Sequence, residues 1–443
     1  MDLIITLVLT LFMLLYAISN NIFVGFALLI STGLFCLIAI RRGFSLASLL
    51  KMASLGGKKA FIVLRIFVLI GAITGIWMAS GTVPSIVYYG ILYMNPHFFI
   101  LYAFLITAGV SFLLGTSFGT VGTVGVALML MARSGEVNVD LTAGAIMAGA
   151  YFGDRCSPMS SSANLVAHLT NTDLYGNIKA MFKTAAVPLV IAIIGYTLLS
   201  FSAPLGQSSQ QMSIEIQKVF STNLITLIPA LSILILALFR VNVKLSMSIS
   251  IALAAVIAYM VQGVSLLNLF NFTLFGYELD ASSPLHNILG GGGVISMWKA
   301  IFIVFLSSVL ANIFEGTQML SSLEGQLMKA KTRFGVFSST TFVGLMSSAI
   351  GCNQAIAVFL TEQLMRKTYQ KNKLPNTALA IDIENTGIVI AALIPWNIAA
   401  FVPTTTLGVS PSGFIPYAFY LYLIPITQII YWALTSKNKK NSE

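Results

Sequence analysis

Apolar runs of membrane-spanning length, about 20 residues each, follow one another along almost the whole chain, and no other feature constrains the fold as strongly. They begin near residues 3, 21, 60, 97, 116, 141, 180, 218, 245, 294, 335, 352, 376 and 412, with short polar or glycine-rich joints between them. A globule in water needs polar groups to cover its surface, and a 443-residue chain with 57% hydrophobic and 9% charged residues lacks them. The solvent is lipid. The expected fold class is an all-α polytopic membrane protein of roughly 10–14 transmembrane segments. Segments 97–132 and 335–368 read either as pairs of spans or as re-entrant hairpins.

The net charge of +10 would suit nucleic acid, but the basic residues sit in short clusters between apolar runs, where they orient a membrane protein. Nucleic acid is therefore excluded as a partner; the lipid bilayer is one, and a homodimer is left open. The clusters are Arg41, Arg42, Lys51, Lys58 and Lys59; Lys179 and Lys183; Arg240 and Lys244; Lys329, Lys331 and Arg333; Arg366, Lys367, Lys371 and Lys373; and Lys437, Lys439 and Lys440. With a cytoplasmic N-terminus and fourteen crossings all six fall on the cytoplasmic side, and so does the C-terminus, while Arg133 and Lys218 fall outside. Segment 263–292 has no Lys or Arg but holds Glu278 and Asp280, as an external loop would. The first residues lack a basic region and a small-residue cleavage site, which predicts a retained first helix. Cys36, Cys156 and Cys352 have neither disulfide-framework nor zinc-site spacing, so no cofactor or resident metal is expected.

The two halves echo one another. Gly56-Gly57 recurs as Gly291-Gly292, Gly81-Thr82 as Gly316-Thr317, Gly115 as Gly351, Pro158 as Pro395 and Pro188 as Pro425, at offsets drifting from 235 to 237 residues. Gly56-Gly57 reads as lying in a basic cytoplasmic loop and Gly291-Gly292 in the basic-free external one, so the repeats are expected to be inverted. Residues 1–204 would form the first repeat, 205–217 an external linker, 218–436 the second repeat and 437–443 a cytoplasmic tail.

Helix breakers beside hydroxyl and amide side chains mark four stretches where broken helices would line a central site: 115–123, 153–164, 351–354 and 384–387, the last followed by Ile394-Pro395-Trp396-Asn397. They contribute Thr116, Ser117, Ser157, Ser160, Ser161, Asn164, Asn353, Gln354, Asn385, Thr386 and Asn397 as substrate or ion ligands. An acid at membrane depth costs about 2.5–3.5 kcal/mol and is usually functional, which singles out Asp154 and Glu384 as the ion-coupling charges. An ion pair of Asp154 with Arg155 is the structural alternative. Glu315, Glu362, Asp382 and Asp173 lie nearer expected helix ends and are expected to be solvated; Arg65 and Lys299 are expected to snorkel. Gly115-Thr116-Ser117-Phe118-Gly119 fits the G-x-S-x-G hydrolase pattern, with His168 as the remote partner of an intramembrane serine protease, but its flanks are apolar runs instead of a strand and a helix.

Residues 75–90 (GIWMASGTVPSIVYYG), 114–125 (LGTSFGTVGTVG), 153–165 (GDRCSPMSSSANL) and 393–397 (LIPWN) together resemble the NhaC-type sodium/proton antiporter family of the ion transporter superfamily. The resemblance covers roughly residues 70–430, and the first two helices resemble a branch described as amino-acid permeases. It implies a secondary transporter of the inner membrane, not an enzyme, with Na+ or H+ as coupling ion. It also implies acids at three positions where this chain has Ser161, Asn353 and Asn385. Those neutral residues point to ion-coupled transport of a small organic solute, foremost an amino acid; the alternative is Na+/H+ antiport through Asp154 and Glu384.

Overall fold

The computed structural model describes residues 2–20, 22–206, 208–279, 285–286, 289–319 and 329–440. Asp280 and tail residues 441–443 lie outside the described residues. Among these the chain is helical throughout, broken only by turns and one isolated bridge between Tyr277 and Gly291. Among the described residues eight helices are long and apolar enough to cross a membrane, or nine if Ser208–Val219 and Leu224–Leu238, bent by 103°, form one broken span. Several of the fourteen apolar runs are shorter helices or halves of broken ones, because glycine and proline interrupt them.

Helices α1 (Asp2–Ser19) and α2 (Val24–Arg41) pack on each other, and α2 packs on α3 (Leu46–Ala79) and α14 (Val294–Thr317). Helix α3 begins earlier than its apolar run because Ser45 caps it, its hydroxyl accepting from the Ser48 N–H at 3.2 Å. At 1.5 Å per residue it is about 50 Å long, well beyond the hydrocarbon thickness, so it must tilt or protrude. Gly56 and Gly57 are thus not in a loop. A Cβ on Gly56 would stand 2.5 Å from the Ser308 carbonyl of α14, and this close approach is what the glycine permits. The 205–217 segment is likewise not a plain linker: α10 (Ser208–Val219) is an amphipathic helix burying Ser209, Met212 and Ile216. It packs on α4 (Thr82–Tyr93).

Two helical hairpins form the centre. The first joins α5 (Phe99–Leu114) to α6 (Ser117–Ser134), and the second joins α15 (Arg333–Gly351) to α16 (Gln354–Lys371). Each tip uses one left-handed residue, Gly115 (φ 66°) or Cys352 (φ 51°), then one extended residue, Thr116 or Asn353, that caps the returning helix. Beside them lie two broken helices. One is α7 (Val139–Cys156) and α8 (Ser161–Thr170), the other α17 (residues 376–391) and α18 (Ile398–Leu407). Long helices α9 (Leu174–Ser202) and α19 (Phe419–Lys440), each with an internal proline, complete the two sets. The remaining helices are α11 (Leu224–Leu238), α12 (Val243–Met260) and α13 (Leu266–Phe275).

Left-handed residues recur in register. Gly81 and Gln318, Gly115 and Cys352, Glu136 and Lys373, and Asn171 and Gly408 all have positive φ, and each pair is 237 residues apart. Matching by glycine alone misplaces two of these, since Gly316 and Gly351 lie inside α14 and α15 while the turn conformation falls on Gln318 and Cys352.

Apolar side chains stay exposed on the outward faces, including Val8 and Phe12 on α1, Val190, Ile194 and Leu198 on α9, and Ile235 and Leu238 on α11. In water such a surface would aggregate; in hydrocarbon it is the solvated one. The protein is a multi-pass membrane protein.

Candidate functional site

The four interrupted stretches converge. The tip of the first hairpin seats on the α7–α8 break: a Cβ on Gly115 would lie 2.4 Å from the Met159 carbonyl carbon. In the second half, the α17–α18 break is pinned to its own hairpin tip. Trp396 Nε1 donates to the Ala349 carbonyl (2.7 Å), Asn397 Nδ2 to the Ser348 carbonyl (2.8 Å) and the Ile398 N–H to the Cys352 carbonyl (2.9 Å). The halves touch through the Tyr151 hydroxyl, which donates to the Ala399 carbonyl at 2.7 Å.

Two short π-helical turns lie here, Val121–Gly125 in α6 and Glu384–Ile388 in α17. Such turns redirect side chains and leave carbonyls without helical partners, and they recur at functional sites. Gln354 exploits one, its Nε2 donating to the Ile388 carbonyl at 3.2 Å.

Asp154 sits on the last turn of α7 and is only 4% exposed. Ser117 Oγ donates to its Oδ2 at 3.2 Å, while Ser162 Oγ (3.1 Å) and Ser160 Oγ (3.4 Å) reach its Oδ1. Gln354 also interacts with the carboxylate, bringing in the second half. A carboxylate ringed by three hydroxyls and an amide is an oxygen-rich nest of the kind a hard monovalent cation takes.

Glu384, 1% exposed and opening the second π-turn, has no hydrogen-bond partner on either carboxylate oxygen among the described residues. It lies within electrostatic reach of Asp154 and Arg155. Arg155 does not pair with its neighbour Asp154. Its guanidinium, fully buried, donates from Nη1 to Tyr420 Oη (3.1 Å) and from Nη2 to Thr184 Oγ1 (2.8 Å) and the Asn385 side-chain oxygen. Sequence offers Arg155 only as a partner for Asp154, because the long-range contacts that hold it leave no local signal.

The remaining candidates divide. Thr116 and Asn353 cap the helices after the hairpin tips, with Asn353 Oδ1 accepting from the Ala355 N–H and Thr116 Oγ1 from the Gly119 N–H. Ser157 and Asn397 serve the chain breaks, accepting from the Met159 and Ala399 N–H groups. Thr386 bonds back to the Asp382 carbonyl. Ser161 and Asn164 are exposed, and the Asn164 amide bonds the Ser160 carbonyl at 2.6 Å, so the structure does not bring them to the acids.

Two acids expected in solvent are buried. Asp382 lies two turns inside α17 and takes a two-pronged ion pair from Arg333 (2.6 and 2.8 Å), and Glu362 pairs with Arg366. Glu315 does stay half-exposed, pairing with Lys59, and Asp173 caps α9 through the Gly176 N–H. A cavity of about 550 Å³ runs from Arg333 and Asp382 to Thr184, the residue that touches Arg155 and Asn385. Ser117 opens a helix after a hairpin tip, its hydroxyl bonded to Asp154, and His168 is exposed on α8. That is not the strand–turn–helix elbow a serine hydrolase needs. Among the described residues no group of three or more His, Cys, Asp or Glu side chains is placed to hold a metal ion.

Sequence comparison finds a profile of the Na+/H+ antiporter family matching residues 1–162 and 149–435. The malate-2H+/Na+-lactate antiporter of Bacillus subtilis strain 168 is 27% identical over 418 residues, 93% of this chain and 89% of the relative. The Na+/H+ antiporter NhaC of Alkalihalophilus pseudofirmus is 28% identical over 83% of this chain and 80% of its own length. The arginine/ornithine antiporter ArcD of Halobacterium salinarum is 27% identical over 86% of this chain and 80% of its own.

Proposed function

This chain belongs to the Na+/H+ antiporter family, and from that premise we propose that it exchanges sodium ions for protons at a site built from Asp154 and Glu384. One observation carries the reading: Glu384 is buried with both carboxylate oxygens unpartnered. A carboxylate without hydrogen bonds at that depth needs positive charge near it, so it takes up a proton or a cation readily. The two loaded forms carry the same charge, which makes one a substitute for the other across the membrane. Asp154, with its hydroxyls already inward, supplies the better-formed sodium shell.

The two halves, 1–204 and 218–436, would act as inverted repeats that alternate access around the site. The left-handed pairs spaced by 237 residues support the repeat; its inversion and cytoplasmic termini are part of the proposal, with the basic clusters then facing the cytoplasm. A bacterial-type plasma membrane suits this reading. The cavity at Arg333 and Asp382 would then be the cytoplasmic approach.

A second reading, exchange of an organic solute such as an amino acid or a carboxylate, has its own support. Asn385 is neutral and bonded to Arg155, and two relatives are named for organic substrates. Purified protein in liposomes separates the two. Sodium-driven proton movement without any organic solute establishes the first; accumulation of labelled amino acid only under an ion gradient, with no solute-free exchange, replaces it by the second. Asp154→Asn and Glu384→Gln should each abolish coupling, and wild-type coupling in both would sink the assignment.

A further inference from the structure

Counting the buried charges assigns Arg155 a part in the exchange, on the premise that Asp154 and Glu384 are the coupling acids. Five charged residues are buried among the described ones: Asp154, Arg155, Glu362, Asp382 and Glu384. Glu362 is neutralised by Arg366 and Asp382 by Arg333, each in direct contact. That leaves two carboxylates and one guanidinium. Arg155 touches neither acid, being held by the neutral groups of Tyr420, Thr184 and Asn385, yet it hangs from the side chain next to Glu384 and is anchored between the two halves. A guanidinium keeps its charge under all working conditions and cannot be exchanged.

We propose that Arg155 is the fixed countercharge of the transport site, limiting its capacity to one monovalent cation per transit. With both acids ionised the trio carries one net negative charge. A single Na+ or a single H+ then makes it neutral, and neutrality is the condition for moving a site through a low-dielectric interior without a large penalty. Exchange is therefore one for one and moves no net charge. Without Arg155 the same two acids would demand two cations.

The test uses the full-length protein in liposomes, with Na+ gradients, a pH-reporting dye and the membrane potential clamped by potassium and valinomycin. For the wild type, the sodium ratio at which proton movement stops should not change with the clamped potential. If one net charge crossed per cycle, a step of about 59 mV would shift that ratio about tenfold, and such a shift overturns the proposal. No sodium-driven proton movement at all overturns the functional reading and this inference with it. The variants add a second arm. Glu384→Gln alone leaves Asp154 balanced by Arg155, so exchange is lost; Arg155→Gln with Glu384→Gln restores one net negative charge and should recover exchange roughly tenfold above the single variant. A folded double variant as inactive as Glu384→Gln overturns the proposal; if the double variant does not fold, the wild-type balance point decides.

Discussion

Asp154 and Glu384 show how differently two buried acids can be prepared. Asp154 has its oxygens occupied by Ser117, Ser160 and Ser162, whereas Glu384 has none occupied. Hydroxyls can turn from donating to a carboxylate to offering oxygen to a cation, so the shell around Asp154 would serve both loaded forms of the proposed site. Removing one hydroxyl, as in Ser162→Ala, takes away an interaction worth about 1 kcal/mol and should raise the half-saturating sodium concentration several-fold, read from exchange rates, with maximal rate little changed. Asp382 plays another part. It is locked by Arg333, so Asp382→Asn strands a guanidinium that is mostly buried and should destabilise the protein by about 3 kcal/mol or more, seen as a lower melting temperature in detergent. The partner Arg333 is 49 residues away in sequence, so position near a helix end alone points Asp382 to solvent.

Helix contacts here depend on missing side chains. A Cβ on Gly153 would lie 2.2 Å from the Ser111 carbonyl carbon and the Phe112 nitrogen of α5, and one on Gly149 would lie 2.2 Å from Thr107 Oγ1. These glycines hold the end of α7 that carries Asp154 against the first hairpin. Gly153→Ala should therefore cost about 1–3 kcal/mol in packing and reduce the folded fraction on size exclusion. The hairpin tips offer a converse test. Cys352 adopts a left-handed conformation that Gly115 adopts without a Cβ, so Cys352→Gly should leave the fold intact and raise the melting temperature by an amount matching about 1 kcal/mol. The breaks themselves were legible in sequence, because Gly, Pro, Ser and Asn cluster there. The full extent of α3 was not: Gly56 and Gly57 read as a loop locally, and only the apposed backbone of Ser308 shows why two glycines continue a helix.

At the scale of the whole molecule, the inverted-repeat reading makes a direct prediction. Accessibility reporters at residue 95 and residue 370 should report outside and inside respectively, and agreement between them would defeat the inversion. The approach cavity gives a companion expectation: a thiol reagent should reach Thr377→Cys from the cytoplasmic side, and labelling only from outside would reverse the assigned orientation. The sequence by itself determined the membrane class, the helical character and the breaks, and it singled out Asp154 and Glu384 as candidate acids. Those follow from composition, periodicity and local backbone preference, which act within a few residues of one another. Only the tertiary structure decided which polar groups face an acid. It turned Ser162 inward and left Ser161 exposed, hung Arg155 from Asn385 in the other half, and buried Asp382 against Arg333. The physical reason is that a buried charge is set by its nearest atoms in space, and in a chain that crosses the membrane repeatedly those atoms come from segments hundreds of residues apart.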